Sequence, residues 1–130
     1  MSKLNKLAQE VHNNAKQKGF YETNRNISEL LMLVVSELGE AQEALRKNKR
    51  FSMFRLQQAT QQCDKAYNLN ADFRKMMFEC HIKDTFEDEI ADAIIRLLDL
   101  SAYLKIDIDF HIEEKIKYNT GRDNKHGKAF

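Results

Sequence analysis

The chain has 130 residues, with 21 Lys and Arg against 20 Asp and Glu, two cysteines, four glycines and no proline. That length supports one domain with a real core, and the near-even charge gives no global drive toward a nucleic-acid polymer. No run approaches the ~20 apolar residues of a membrane span. The start MSKLNKLAQEV has no apolar stretch before a small-residue cleavage site, and Cys63 and Cys80 have no nearby second thiol, so a cytoplasmic protein without a disulfide framework or zinc site is expected.

Leu4, Leu7, Ala8, Val11 and Ala15 share one face of a first helix that stops near Gly19. GFYETNRN is a linker, and Asn26 with Glu29 three residues on has the form of a capping box opening a second helix. Its apolar positions run through Ile27, Leu31, Val34, Leu38, Ala41 and Leu45 until KNKR ends the pattern. Residues 51–83 have weak periodicity and no turn dipeptide, and one or two short helices are expected there. Thr85 with Asp88, or Asp84 with Glu87, caps a strong third helix reaching about Leu104. After a break at Lys105 to Asp107, Ile108, Ile112 and Ile116 mark a last helix running to about Thr120. The expected fold is all-α: a helical bundle of four main helices with short helices in the 51–83 insert, in a single domain 1–130 whose tail, about 120–130, is polar and basic.

The acids raise the functional question. Four pairs lie at i, i+3 (Glu37/Glu40, Glu40/Glu43, Asp84/Glu87 and Glu89/Asp92), where composition alone gives about three, so spacing decides nothing. Helical faces decide more. Glu37 falls in a column with Leu30, Leu33, Ala41 and Ala44, Glu40 sits at its edge, and Glu43 points to solvent. On the third helix Ile90, Ile94, Leu97, Leu98 and Ser101 make the expected core face. Ile95, Ala91, Leu100 and Ala93 widen it until only a strip of Asp88, Glu89, Asp92, Arg96, Asp99 and Tyr103 remains. A strip that narrow and acid-rich reads as an internal seam.

Ionised carboxylates near a core need a positive partner. Glu37, Glu40, Glu89 and Asp92 without Cys or His suit a hard cation, Mg²⁺ first and Mn²⁺ next; pairing with Arg and Lys of other helices is the other solution. Di-iron chemistry is disfavoured because no histidine has a glutamate three residues before it. Lys115, Lys117, Arg122, Lys125, His126 and Lys128 make the end basic, and beside a metal seam a phosphate ester is the natural guest. Phe20 and Tyr21 are candidates to stack on a base, although a hydrophobic anchor for the linker is the simpler role; His12 and His111 read as helix-surface residues.

SELGEAQEAL, then FEDEIADAIIRLLDL, then KIKYNTGRDNKHGK, in that order, resembles the MazG-like all-α nucleoside triphosphate pyrophosphohydrolases. The resemblance covers about residues 27–50 and 84–128, with the family's E-x-x-E on Glu37 and Glu40, its E-x-x-D on Glu89 and Asp92, and its Lys, Asn and Arg on Lys115, Asn119 and Arg122. It implies Mg²⁺-dependent cleavage between the α- and β-phosphates of a nucleotide. The four acids would serve the metal, with Glu40 as base, and Lys115, Asn119 and Arg122 the phosphates, with Lys125 and Lys128 as further contacts. It also implies a homodimer or homotetramer in which two copies complete each site. Three features depart from it: Ser36 stands where many members have a second glutamate, Arg96 where some have a tyrosine, and the 51–83 insert is long. The competing expectation is a non-catalytic helical interaction module whose acid seam is neutralised by the basic tail.

Overall fold

The computed structural model describes residues 2–122. Those residues form six helices and no strand: α1 (Lys3–Gln17), α2 (Ile27–Arg46), α3 (Met53–Gln62), α4 (Ala71–His81), α5 (Phe86–Tyr103) and α6 (Ile108–Thr120). None of them is long and apolar enough to cross a membrane. The chain divides into two compact units, one of residues up to Leu30 together with those from Ile95 onward, the other Leu31–Ile94; α2 and α5 contribute to both.

With no proline and few glycines, the helices stop by a device the sequence hides. At the ends of α1, α2, α3 and α5 the same pair of backbone hydrogen bonds folds the chain back, as where Lys49 N–H donates to Ala44 O and Asn48 N–H to Leu45 O. The motif needs one residue in the left-handed region. Gly19 supplies it once (φ 85°), but Asn48 (55°), Asp64 (49°) and Lys105 (56°) supply it elsewhere, and Asp84 (62°) adopts it between α4 and α5.

In the Leu31–Ile94 unit the insert forms two short helices, α3 and α4, packed on each other. Ser52 Oγ accepts from Arg55 N–H at 3.3 Å and Asn70 Oδ1 from Phe73 N–H at 2.8 Å, so each has a side-chain N-cap. Leu56, Phe73 and Met77 are buried between them, with Phe51, Ala59, Tyr67 and Ile82 around the rim. Glu87 pins this insert to the start of α5: its carboxylate accepts from Arg50 Nε at 2.7 Å and from Phe51 N–H at 2.8 Å, while Phe86 N–H donates to Lys49 O at 2.9 Å. The Phe51 N–H foremost holds the Glu87 carboxyl below its usual range. Of the two expected caps for α5, the first forms: Thr85 Oγ1 accepts from Asp88 N–H (3.2 Å) and the Asp88 carboxylate accepts from Asp84 N–H (2.9 Å).

In the other unit α1 packs against α6. The carboxylate of Asp109 accepts from the Ser2 hydroxyl, from Asn5 N–H at 2.7 Å and from Leu4 N–H at 3.4 Å, taking donors that the first turn of α1 leaves without partners. Asp107 caps α6 through Phe110 N–H (3.1 Å) and also accepts from Asn5 Nδ2 (2.7 Å), and Asn5 Oδ1 accepts from Ile108 N–H (3.0 Å). Each helix start thus caps the other. A second knot lies deeper. His12 is buried rather than on the helix surface as expected, because its Nδ1 meets Asp99 Oδ1 at 2.7 Å and its ring packs edge-on against Tyr21 at 4.6 Å.

Candidate metal centre

On α2 the buried residues are Leu30, Val34, Glu37, Ala41 and Ala44, a stripe with Glu37 at its middle, 7% exposed. The face expected around Val34 and Leu38 is therefore rotated: Leu38 is 49% exposed, and Leu31, Val35 and Leu45 join it outside. The same correction applies to α5. Leu98 and Ser101 are buried as expected, but Ile94 and Leu97 are about half exposed, whereas Glu89 is 5% exposed beside buried Ala93. Small residues share the stripes with the acids: Ala41, Ala44 and Ala93 are buried beside Glu37 and Glu89, while Leu31, Val35, Leu38, Ile94 and Leu97 lie on the outer flanks.

Ligand oxygens of Glu37, Glu89 and Asp92 lie within 4.8 Å of one another. All three belong to the Leu31–Ile94 unit, Glu37 from α2 and the others from α5. Glu40 lies outside this group; it is exposed and hydrogen-bonded to Glu89. Glu89 also belongs to a second group with Asp84 and Asp88, so it is the acid common to both. Burial first, then the charge and hydrogen bond of Glu40, then Asp92 and Asp88, push the Glu89 carboxyl up to about 7. The cluster therefore holds a proton on Glu89 to higher pH than a free carboxyl would, or a cation in its place.

The residues fit a hard divalent ion. Oxygens around Mg²⁺ at about 2.1 Å stand at most about 4.2 Å apart, so small side-chain rotations close this group onto one ion. All donors are carboxylate oxygens, the set that Mg²⁺ and Mn²⁺ share, with no soft ligand to favour zinc or copper. Glu37, Glu89 and Asp92 would hold the ion and leave positions for waters or a substrate.

The remaining predicted residues that are described lie in the other unit. Lys115 on α6 and Arg122 just after it converge on one ring, with Lys115 Nζ 5.2 Å and Arg122 Cζ 5.5 Å from the centre of Tyr118. Asn119 has a buried amide oxygen without a hydrogen-bond partner among the described residues. Lys125 and Lys128 lie outside the described residues. Phe20 is 54% exposed, while the Tyr21 hydroxyl donates to Asp99 Oδ2 at 2.7 Å; burial first, then that bond, raises the Tyr21 phenol well above its usual range.

Two groupings escaped the sequence reading. Asp84, whose backbone is left-handed and whose N–H donates to the Asp88 carboxylate, joins Asp88 and Glu89, and the Thr85–Asp88 cap spacing is the one local sign of it. The pairing of His12 with Asp99 spans 87 positions and has no local sign at all. No family model, curated protein or solved structure matches this chain.

Proposed function

We propose that the chain is a MazG-like, Mg²⁺-dependent nucleotide pyrophosphohydrolase of the cytoplasm, with Mn²⁺ as the alternative ion, that cleaves a nucleoside triphosphate or related nucleotide to the monophosphate and pyrophosphate. The observation that carries the reading is the meeting of Glu37, Glu89 and Asp92 from two helices around a carboxyl pushed up to about 7. The bound ion would neutralise phosphate charge and acidify a water. Glu40, exposed and outside the three-acid group, takes the proton of the attacking water. The water oxygen then bonds the α-phosphorus, the bond from that phosphorus to the α–β bridging oxygen breaks, and pyrophosphate leaves.

Lys115, Asn119 and Arg122 are assigned to the phosphates, with Lys125 and Lys128 behind them, and Phe20 and Tyr21 to the base. The convergence of Lys115 and Arg122 on Tyr118 supports the assignment of the two cations. The reading includes a bundle of the four longer helices whose sites are completed in a homodimer or homotetramer. An uncovered apolar row of Leu31, Val35, Leu38 and Leu45 on α2 supports a second copy.

The test is incubation with a panel of ribo- and deoxyribonucleoside triphosphates and Mg²⁺, scoring pyrophosphate against orthophosphate. Release of pyrophosphate is expected on at least one nucleotide, with a loss of about 100-fold or more in Glu89→Gln. No release on any nucleotide, or release indifferent to Glu89→Gln, overturns the reading. A melting temperature unmoved by Mg²⁺ and chelator would favour the interaction module instead.

A further inference from the structure

A second concave surface lies on the insert, opposite in charge to the acidic centre. It is a groove of about 500 Å³ beside α4, lined by Tyr67, Arg74, Lys75, Phe78, Glu79 and Lys83. All of these belong to the Leu31–Ile94 unit. Arg74 and Phe78 are one helical turn apart, as are Lys75 and Glu79, and Lys83 follows just past the helix end. Three cations and one carboxylate therefore face a common space. Lys75 reaches Glu79 only at 3.9 Å, with both side chains more than half exposed, and among the described residues Arg74 and Lys83 have no side-chain ion pair. The excess positive charge is not consumed within the fold.

The apolar part of the groove is aromatic. Phe78 is 38% exposed among these cations, and Tyr67, at the rim of the Leu56–Phe73–Met77 core, offers a second ring. A cationic groove with a partly exposed aromatic ring suits a ligand that is anionic at one end and planar at the other: Arg takes a phosphate in a fork, Lys as a point charge, and a ring stacks a flat heterocycle. The volume is that of a small-molecule site and not of a polymer track.

We infer that the insert carries a nucleotide-binding groove distinct from the acidic centre, in which Arg74 and Lys83 hold the phosphate and Phe78 stacks the base. A nucleoside monophosphate needs no metal in this groove, since its charge is met by side chains. Binding here therefore does not rest on the proposed hydrolysis.

The experiment is equilibrium dialysis of the full chain at low salt in EDTA, with each of the common nucleoside 5′-monophosphates, the matching nucleosides and inorganic phosphate as probes. One monophosphate is expected to bind saturably at one per chain, at least about fivefold tighter than its nucleoside or phosphate alone. The double variant Arg74→Gln, Lys83→Gln should weaken it about tenfold or more, with the circular dichroism spectrum unchanged. Phe78→Ala should weaken the nucleotide but not phosphate. Glu89→Gln should leave binding intact, which separates this groove from the acidic centre. Absence of saturable binding, indifference to the Arg74 and Lys83 changes, or loss in Glu89→Gln overturns the inference. So does an affinity that grows with oligonucleotide length, which would mark a polymer surface.

Discussion

Asp99 and Glu89 lie on the same helix, and both are drawn out of solvent, but their neighbours differ in kind. Around Asp99 the fold supplies donors: His12 Nδ1 and the Tyr21 hydroxyl each approach one carboxylate oxygen at 2.7 Å, and Tyr21 and Tyr103 pack with ring centres 4.8 Å apart. Around Glu89 the fold supplies more acids, Glu40, Asp92 and Asp88. A carboxylate met by donors is satisfied by its own protein and contributes to holding its elements together. One met by carboxylates is stable only with a proton or a cation, so its environment is arranged for something that comes and goes. Burial alone does not distinguish the two; the chemistry of the neighbours does.

The largest stability effect is expected at the donor-rich site. Asp99→Ala leaves the Tyr21 hydroxyl and buried His12 without their acceptor, and should cost about 2–4 kcal/mol. Urea unfolding measures it. The loss should be the same in EDTA and in Mg²⁺; a loss that Mg²⁺ modulates would break the contrast between the two sites.

Glu89 should behave in the reverse way. Its carboxyl is raised from 4.5 to about 7, so the folded state holds the proton more tightly than the unfolded chain. The associated stability is full below the unfolded value near pH 4.5 and is lost as pH rises through about 7. Metal-free protein should therefore melt about 3–6 °C lower at pH 8 than a Glu89→Gln variant, with the gap closing toward pH 4.5. Saturating Mg²⁺ should raise the wild type at pH 8 and leave the variant nearly unmoved. Scanning calorimetry over pH, with and without the ion, measures both, and parallel curves for the two proteins would remove the special status of Glu89.

Much of this was legible in the sequence for one reason: local geometry repeats. Helical periodicity and the caps at Asn26 and Thr85 located α1, α2, α5 and α6, because those signals act within a single turn. Asn26 Oδ1 does accept from Ser28 and Glu29 N–H, as the spacing required. The Glu37 column was readable because a helix fixes which residues share a face. The inward face was not, because it depends on where small residues let neighbours in; hence Leu38, Ile94 and Leu97 were placed inside and lie about half exposed. The stops after α2 and α5 were legible in KNKR and in the break at Lys105 to Asp107, whereas the left-handed residue that makes each turn was not, because Asn48, Asp64 and Lys105 adopt that backbone far less regularly than glycine does. His12 with Asp99 was hidden because only tertiary packing joins them.

The smallest effect is the sharpest control. Glu43 follows Glu40 by three residues, as Glu40 follows Glu37, so sequence spacing treats the two pairs alike. Its surroundings do not. Glu43 is exposed and accepts from Arg46 Nε at 2.9 Å and Nη2 at 2.7 Å, with Lys47 Nζ at 3.2 Å, and these bonds, Arg46 first, draw its carboxyl down to about 2. The sign is opposite to that of Glu89: its contribution is present above the unfolded value of 4.5 and lost as pH falls toward 2. Water screens a pair so exposed, so Glu43→Gln should leave the melting temperature at pH 7 within experimental scatter, and any small deficit there should vanish as pH falls toward 2. Its response to Mg²⁺ should match the wild type. If Glu43→Gln instead blunted that response as strongly as Glu89→Gln, the ion would be following acid spacing along α2 and not the buried meeting of Glu37, Glu89 and Asp92.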